Sequence, residues 1–220
     1  MKSLTSLSTV AVLFFASFVP AHAAVIYNTY NGNDDGTASN IHSGNGKALA
    51  FTMPATLLPG GTTSYDLNSV QMRFSGSASS TDMTVSLYSN DGSNTPGTLL
   101  GTLTPSSSFT LTGSVATYTF NATSLTLSAS TTYWVAMTAS VASGIYWHTS
   151  SPLPSPLSSV GVTDGGGVYG GGSPDTWTST SGVRNSLTVN ATAVPEPGTC
   201  VLFATGALCV ILRSRKARRW

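Results

Sequence analysis

Glutamate is missing from residues 24 to 194, and the one glutamate in the chain is Glu196. The commonest proton donor of glycoside cleavage is therefore absent from most of the protein, and no spacing of aspartates singles out a replacement pair. Charge of either sign is scarce in the same stretch. Lys47, Arg73 and Arg184 stand against Asp34, Asp35, Asp66, Asp82, Asp91, Asp164 and Asp175, so the +1 of the whole chain conceals a mildly acidic central region. Nucleic acid is excluded as a partner, because a phosphate backbone needs a basic face. Cysteine is confined to Cys200 and Cys209, near the C-terminus. That removes disulfides and CxxC metal or redox sites from residues 24 to 194, which must hold together through an apolar core. Long 3.6-period runs are lacking too, so no crossover helices are available to build a parallel sheet.

Histidine is as thin. His22, His42 and His148 are the only three, and no G-x-S-x-G elbow marks a serine nucleophile for either of the last two. We read His42 and His148 as polar residues of strands or surface, expect no catalytic residue and no cofactor, and assign no metal. Asn31 to Gly36 and Asn90-Asp91-Gly92 do gather oxygen ligands, with Asp34, Asp35 and Asp91 as calcium candidates. Neither stretch fits an EF-hand loop, and Asn/Asp/Gly clusters are turn formers first. Gly165 to Gly170 formally satisfies G-x-G-x-x-G, but no βαβ unit surrounds it, so it reads as a flexible glycine-rich loop.

What is present is a texture of Ser, Thr and Gly carrying short runs of β-branched and aromatic residues. Val70, Met72 and Phe74 alternate with polar neighbours, as do Met83, Val85 and Leu87; Ala116, Tyr118 and Phe120; Tyr133, Val135 and Met137; and Leu187, Val189 and Ala191. A period of two repeated this often predicts strands. Asn90 to Gly97 is a turn between a strand ending near Tyr88 and one at Leu99 to Leu103. The expectation is an all-β fold, an antiparallel β-sandwich of jelly-roll type occupying residues 24 to 193. Trp134, in the most hydrophobic strand, belongs to its core. Trp147, Tyr169 and Trp177 have two readings, as core aromatics or as flat faces on which a sugar ring stacks.

The two ends have a different character. Lys2, the apolar run Val10 to Val19 and the small residues Ala21 and Ala23 read as a secretory signal peptide over residues 1 to 23, cut before Ala24. Residues 194 to 220 run VPEPGTCVLFATGALCVILRSRKARRW. Thr199 to Leu212 is almost wholly apolar and would cover about 20 Å as a helix, short of the ~30 Å hydrocarbon core unless Pro197, Gly198 and a snorkelling Arg213 lengthen it. Arg213, Arg215, Lys216, Arg218 and Arg219 follow at once and place the C-terminus on the cytoplasmic side.

This order of Pro195-Glu196-Pro197, apolar segment and basic stop resembles the PEP-CTERM sorting signal of Gram-negative bacteria. The resemblance implies an exported protein, briefly anchored in the inner membrane and processed by an exosortase. The stretches LYSNDGSNTPGTLLGTLT and ATYTFNATSLTLSASTTYWVAM also resemble the choice-of-anchor domains that accompany such tails, over about Met83 to Met137. That likeness implies a location and no chemistry. Together they imply a non-catalytic protein of the cell envelope or exopolysaccharide matrix, with extracellular polysaccharide as the candidate partner. The rivals are a carbohydrate-binding module and, less favoured, a carbohydrate-active enzyme.

Overall fold

The computed structural model describes residues 22–30, 32, 34–55, 64–142, 144–150, 160–170, 176–180 and 184–194. Twelve strands make up the regular structure there: β1 Ala24–Asn28, β2 Asp34–Ile41, β3 Lys47–Thr52, β4 Ser64–Gly76, β5 Met83–Asn90, β6 Pro96–Pro105, β7 Ala116–Ser128, β8 Thr132–Ala139, β9 Ile145–Ser150, β10 Thr163–Gly170, β11 Trp177–Thr180 and β12 Leu187–Val194. A single 3-10 turn, Ser80–Asp82, precedes β5. The described residues contain no α-helix, and no helix among them is long and apolar enough to cross a membrane. The expected signal peptide and membrane segment lie outside the described residues, apart from His22 and Ala23.

Every ladder is antiparallel, as the alternation predicts. The architecture differs from a two-sheet sandwich. Neighbour to neighbour, the strands run β1-β12-β4-β7-β6-β5-β8-β3-β10-β11, with β9 joined to β4 and β2 to β9. One continuous sheet results because β6 belongs to both halves. It pairs with β5 from Pro96 to Leu103, then turns its last two residues, Thr104 and Pro105, onto Asn121 and Phe120 of β7.

The sheet curls until its ends nearly meet. Tyr27 of β1 stacks on Phe51 of β3 at 5.7 Å between ring centroids, and Phe51 in turn on Tyr133 of β8 at 5.8 Å. The enclosed face carries the alternating residues anticipated from sequence. Val70, Met72 and Phe74 join Val85, Leu87, Phe120, Val135, Met137, Leu187, Val189 and Ala191 in one core. β8 is buried on both faces. Trp134 and Ala136 point outward, where they form a second small cluster with Ala48 and Ala50, covered by Tyr88 and Trp177. Trp134 is thus buried as expected, but on the outer face of the sheet rather than in the main core.

The glycine-rich stretch is strand, not flexible loop. Thr163 to Gly170 forms β10 and pairs with both β3 and β11. Glycine is needed here for closeness of approach: a Cβ on Gly165 would stand 2.4 Å from the Ala50 Cβ. Register with β3 shifts at this point, between Asp164 and Gly166, as befits a bulge.

Candidate functional site

Three groups of chemistry-bearing residues and one exit point can be built from this frame. The first closes the sheet. The bulge in β10 leaves Asp164 with three partners: its Oδ1 accepts from the Tyr27 hydroxyl at 3.0 Å and from the Gly166 N–H at 3.0 Å, and its Oδ2 pairs with the Arg184 guanidinium. Tyr27 also reaches the Ala50 carbonyl at 3.4 Å. Burial, then the neighbouring carboxylate, hold the Tyr27 phenol far above its ordinary value, so it remains a neutral donor. This group ties the strand at one end of the sheet, and the segment before β12, to β10 near the other end. Its chemistry is that of a clasp.

The second group lies on β9. Tyr146 is 41% exposed, whereas Trp147 is 0% exposed. The Trp147 ring packs against Phe74 at 6.3 Å, edge to face, and its Nε1–H donates to the Ser186 carbonyl at 2.9 Å. An enclosed indole presents no face to a sugar, so the core reading of Trp147 is the one that stands. Behind it, Asn185 Nδ2 donates to the Trp147 carbonyl at 2.7 Å and to Ser39 Oγ at 3.1 Å, while Thr29 Oγ1 donates to the Asn185 carbonyl at 2.7 Å. The network satisfies the polar groups of a segment that would otherwise be buried at a cost. His148 Nε2 lies 2.7 Å from Ser75 Oγ, the separation of a nucleophile and its base. Both side chains are buried in the wall, where the contact satisfies the imidazole internally. His42 sits at an exposed turn, held by Asn45 Nδ2 at 3.2 Å from its Nε2.

The third group is the outer shelf. Half-buried Trp177 on β11 meets Tyr88 of β5 at 6.5 Å, edge to face. Beside them Trp134 Nε1–H donates to Asn90 Oδ1 at 3.0 Å. Tyr169 lies on β10 opposite Lys47 and Thr178, so its backbone belongs to the same side of the molecule, while its side chain is outside the described residues. Of the two aromatic candidates whose side chains are described, Trp177 is partly exposed and Trp147 is not. Tyr88 was not anticipated; its place in the alternation of β5, opposite the core-facing Leu87, was the available clue.

The calcium candidates separate. Asp91 spends both oxygens on its own turn: Oδ1 accepts from Ser93 N at 2.8 Å and Thr95 N at 3.0 Å, and Oδ2 from Thr95 Oγ1 at 2.6 Å. Those bonds, first from the Thr95 hydroxyl and then its amide, hold the carboxyl below its ordinary range, as expected of a turn former. Asp34 opens β2 opposite Ser150, and the side chains of Asp34 and Asp35 are outside the described residues. Among the described residues no three His, Cys, Asp or Glu side chains gather as metal ligands. An open hollow of ≈ 670 Å³ that sequence reading did not reveal lies along β4 and β7, lined by Asp66, Asn68, Asn121, Ser124 and Thr126 among others. It arises where Leu67 and Ser69 oppose Leu125 and Asn121, leaving extra residues on β7 as a bulge.

The exit point is the end of β12. Val194 pairs with Ser64, and Pro195-Glu196-Pro197 follows without an intervening residue. The motif, the membrane segment and the basic stop themselves lie outside the described residues.

Comparison with known proteins identifies this terminus. Residues 193–216 match the PEP-CTERM protein-sorting motif. The chain therefore carries the signal of an exported protein whose precursor is anchored in a membrane and which an exosortase recognises. No curated protein matches the chain.

Proposed function

We propose that this is a non-catalytic protein delivered by its sorting signal to the bacterial cell envelope or the exopolysaccharide matrix, where the β domain has a structural or adhesive role. The observation that carries this reading is the sorting motif on residues 193–216, attached directly to the last strand of a β domain. In the precursor the domain stands on the outer side of the inner membrane, with Arg213, Arg215, Lys216, Arg218 and Arg219 retained in the cytoplasm. The resemblance of Met83 to Met137 to choice-of-anchor domains supports the same placement. A surface rich in Ser and Thr hydroxyls and poor in charge suits contact with hydrated polymer.

The second reading, a carbohydrate-binding module, rests on the outer shelf. Trp177 and Tyr88 supply apolar ring surface, and the Asn90 side chain lies alongside, the combination that sugar rings use. Trp147 has no part in it.

Replacement of Pro195 and Glu196 by alanine is the test of the sorting reading. The variant is expected to accumulate as a membrane-retained precursor, seen as the full-length tail mass by mass spectrometry. Maturation at the normal rate would refute it. Saturable quenching of tryptophan fluorescence by the cell's own polysaccharide, lost in Trp177→Ala, would favour the module. Release of reducing ends would overturn the non-catalytic assignment.

A further inference from the structure

The last three residues of β12 are held differently from the rest of the strand. Leu187, Val189 and Ala191 are fully buried and β12 is flanked on both sides up to Ala191, which pairs with Ala24 of β1 and Leu67 of β4. The register with β4 shifts between Asn190 and Ala191. Beyond it β1 has ended, and Thr192, Ala193 and Val194 pair, among the described residues, with Asp66, Tyr65 and Ser64 of β4 alone. All three are only half buried. The hydroxyl of Tyr65, the residue opposite Ala193, is buried with no hydrogen-bond partner among the described residues, a cost to the closed state.

Chain length makes such opening useful. Only Pro195, Glu196 and Pro197 separate Val194 from Gly198, where the apolar segment begins. Fully extended, three residues reach ~10 Å, little more than the headgroup layer of about 5 to 8 Å on one side of a bilayer. A folded domain would then rest almost on the lipid, with no room for a peptidase to hold several residues of substrate extended around the motif. Releasing Thr192 to Val194 doubles the reach to ~20 Å.

We propose that Thr192-Ala193-Val194 is a peelable hem: it leaves β4 to present the sorting motif to the processing enzyme, while the pair Ala191–Ala24 keeps the rest of the domain folded. The inference rests on the sorting reading above.

The test locks the hem in the full-length chain, in its own host, on a Cys200→Ser, Cys209→Ser background. Directly opposed antiparallel positions have the Cα separation a disulfide needs, so Ser64→Cys with Val194→Cys should cross-link once exported. The cross-linked chain is expected to mature at least about tenfold more slowly than either single variant. Six Gly/Ser residues inserted between Val194 and Pro195 should restore its maturation. Equal maturation of locked and unlocked chains would overturn the proposal. The same insertion in the unlocked chain is expected to speed maturation several-fold, and an unchanged rate would overturn it even where no cross-link forms. Failure of the single-cysteine controls to mature would instead sink the sorting reading, and the hem with it.

Discussion

Trp147→Ala separates packing from sugar binding. The indole is fully buried against Phe74, and its N–H satisfies the Ser186 carbonyl just before β12. Truncating a buried tryptophan to alanine costs ~3–5 kcal/mol in transfer and cavity terms. Stranding the Ser186 carbonyl adds about 1 kcal/mol. A total of ~4–6 kcal/mol is a large share of the 5–15 kcal/mol typical of a whole domain. With a urea m-value of about 2 kcal/mol/M, the midpoint should fall by roughly 2–3 M. Circular dichroism of purified residues 24 to 194 reads this without depending on the deleted fluorophore. The matched Trp177→Ala change should cost only ~1–2 kcal/mol, since that ring is half exposed. A Trp147→Ala loss below 1 kcal/mol, with polysaccharide quenching abolished, would refute the packing argument and return Trp147 to a binding role.

Two further changes probe how the sheet is held closed. Gly165→Ala sets a Cβ 2.4 Å from that of Ala50 at the bulge that aims Asp164, and should destabilise by ~1–3 kcal/mol in the same urea assay; a neutral result would mean β10 can shift away from β3. Tyr27 supplies an alkaline pH dependence, to which Tyr65, its phenol also held above the ordinary value by burial, adds. The Tyr27 phenol is held far above the ordinary value of 10.0, first by burial and then by Asp164, so above about pH 10 the unfolded chain loses a proton that the folded chain keeps. Stability contributed by this group is complete below that pH and falls as pH rises, by up to ~1.4 kcal/mol per pH unit. Tyr27→Phe should remove that share of the slope while losing the bond to Asp164; an unaltered alkaline slope in urea titrations from pH 9 to 11 would show that Tyr27 is not a source of it.

What sequence could show here depended on how far the relevant partner lay along the chain. Alternation is local, so Val70-Met72-Phe74 and Leu187-Val189-Ala191 announced both their strands and their buried faces. The continuity of the sheet was hidden because it hinges on two residues of β6, Thr104 and Pro105, whose partners on β7 are set by tertiary closure. Asp164 gave no signal either: a lone aspartate beside glycines reads as a turn, and Tyr27 lies 137 positions away. Glycines carry no side chain to alternate, so β10 looked like a loop although the close approach to Ala50 requires Gly165. Both Trp134 and Trp147 are buried, yet the outer face that receives Trp134 is covered by Tyr88 of β5 and by Trp177, which β11 returns across it. The sorting motif is the opposite case. A processing enzyme reads it as a linear string, so it survives in the sequence intact, whereas any surface that meets polymer is assembled from strands as distant as β5 and β11. The two kinds of information meet at Val194, where a paired strand becomes a linear signal, and the strength of three one-sided ladder residues there sets how freely that signal can be read.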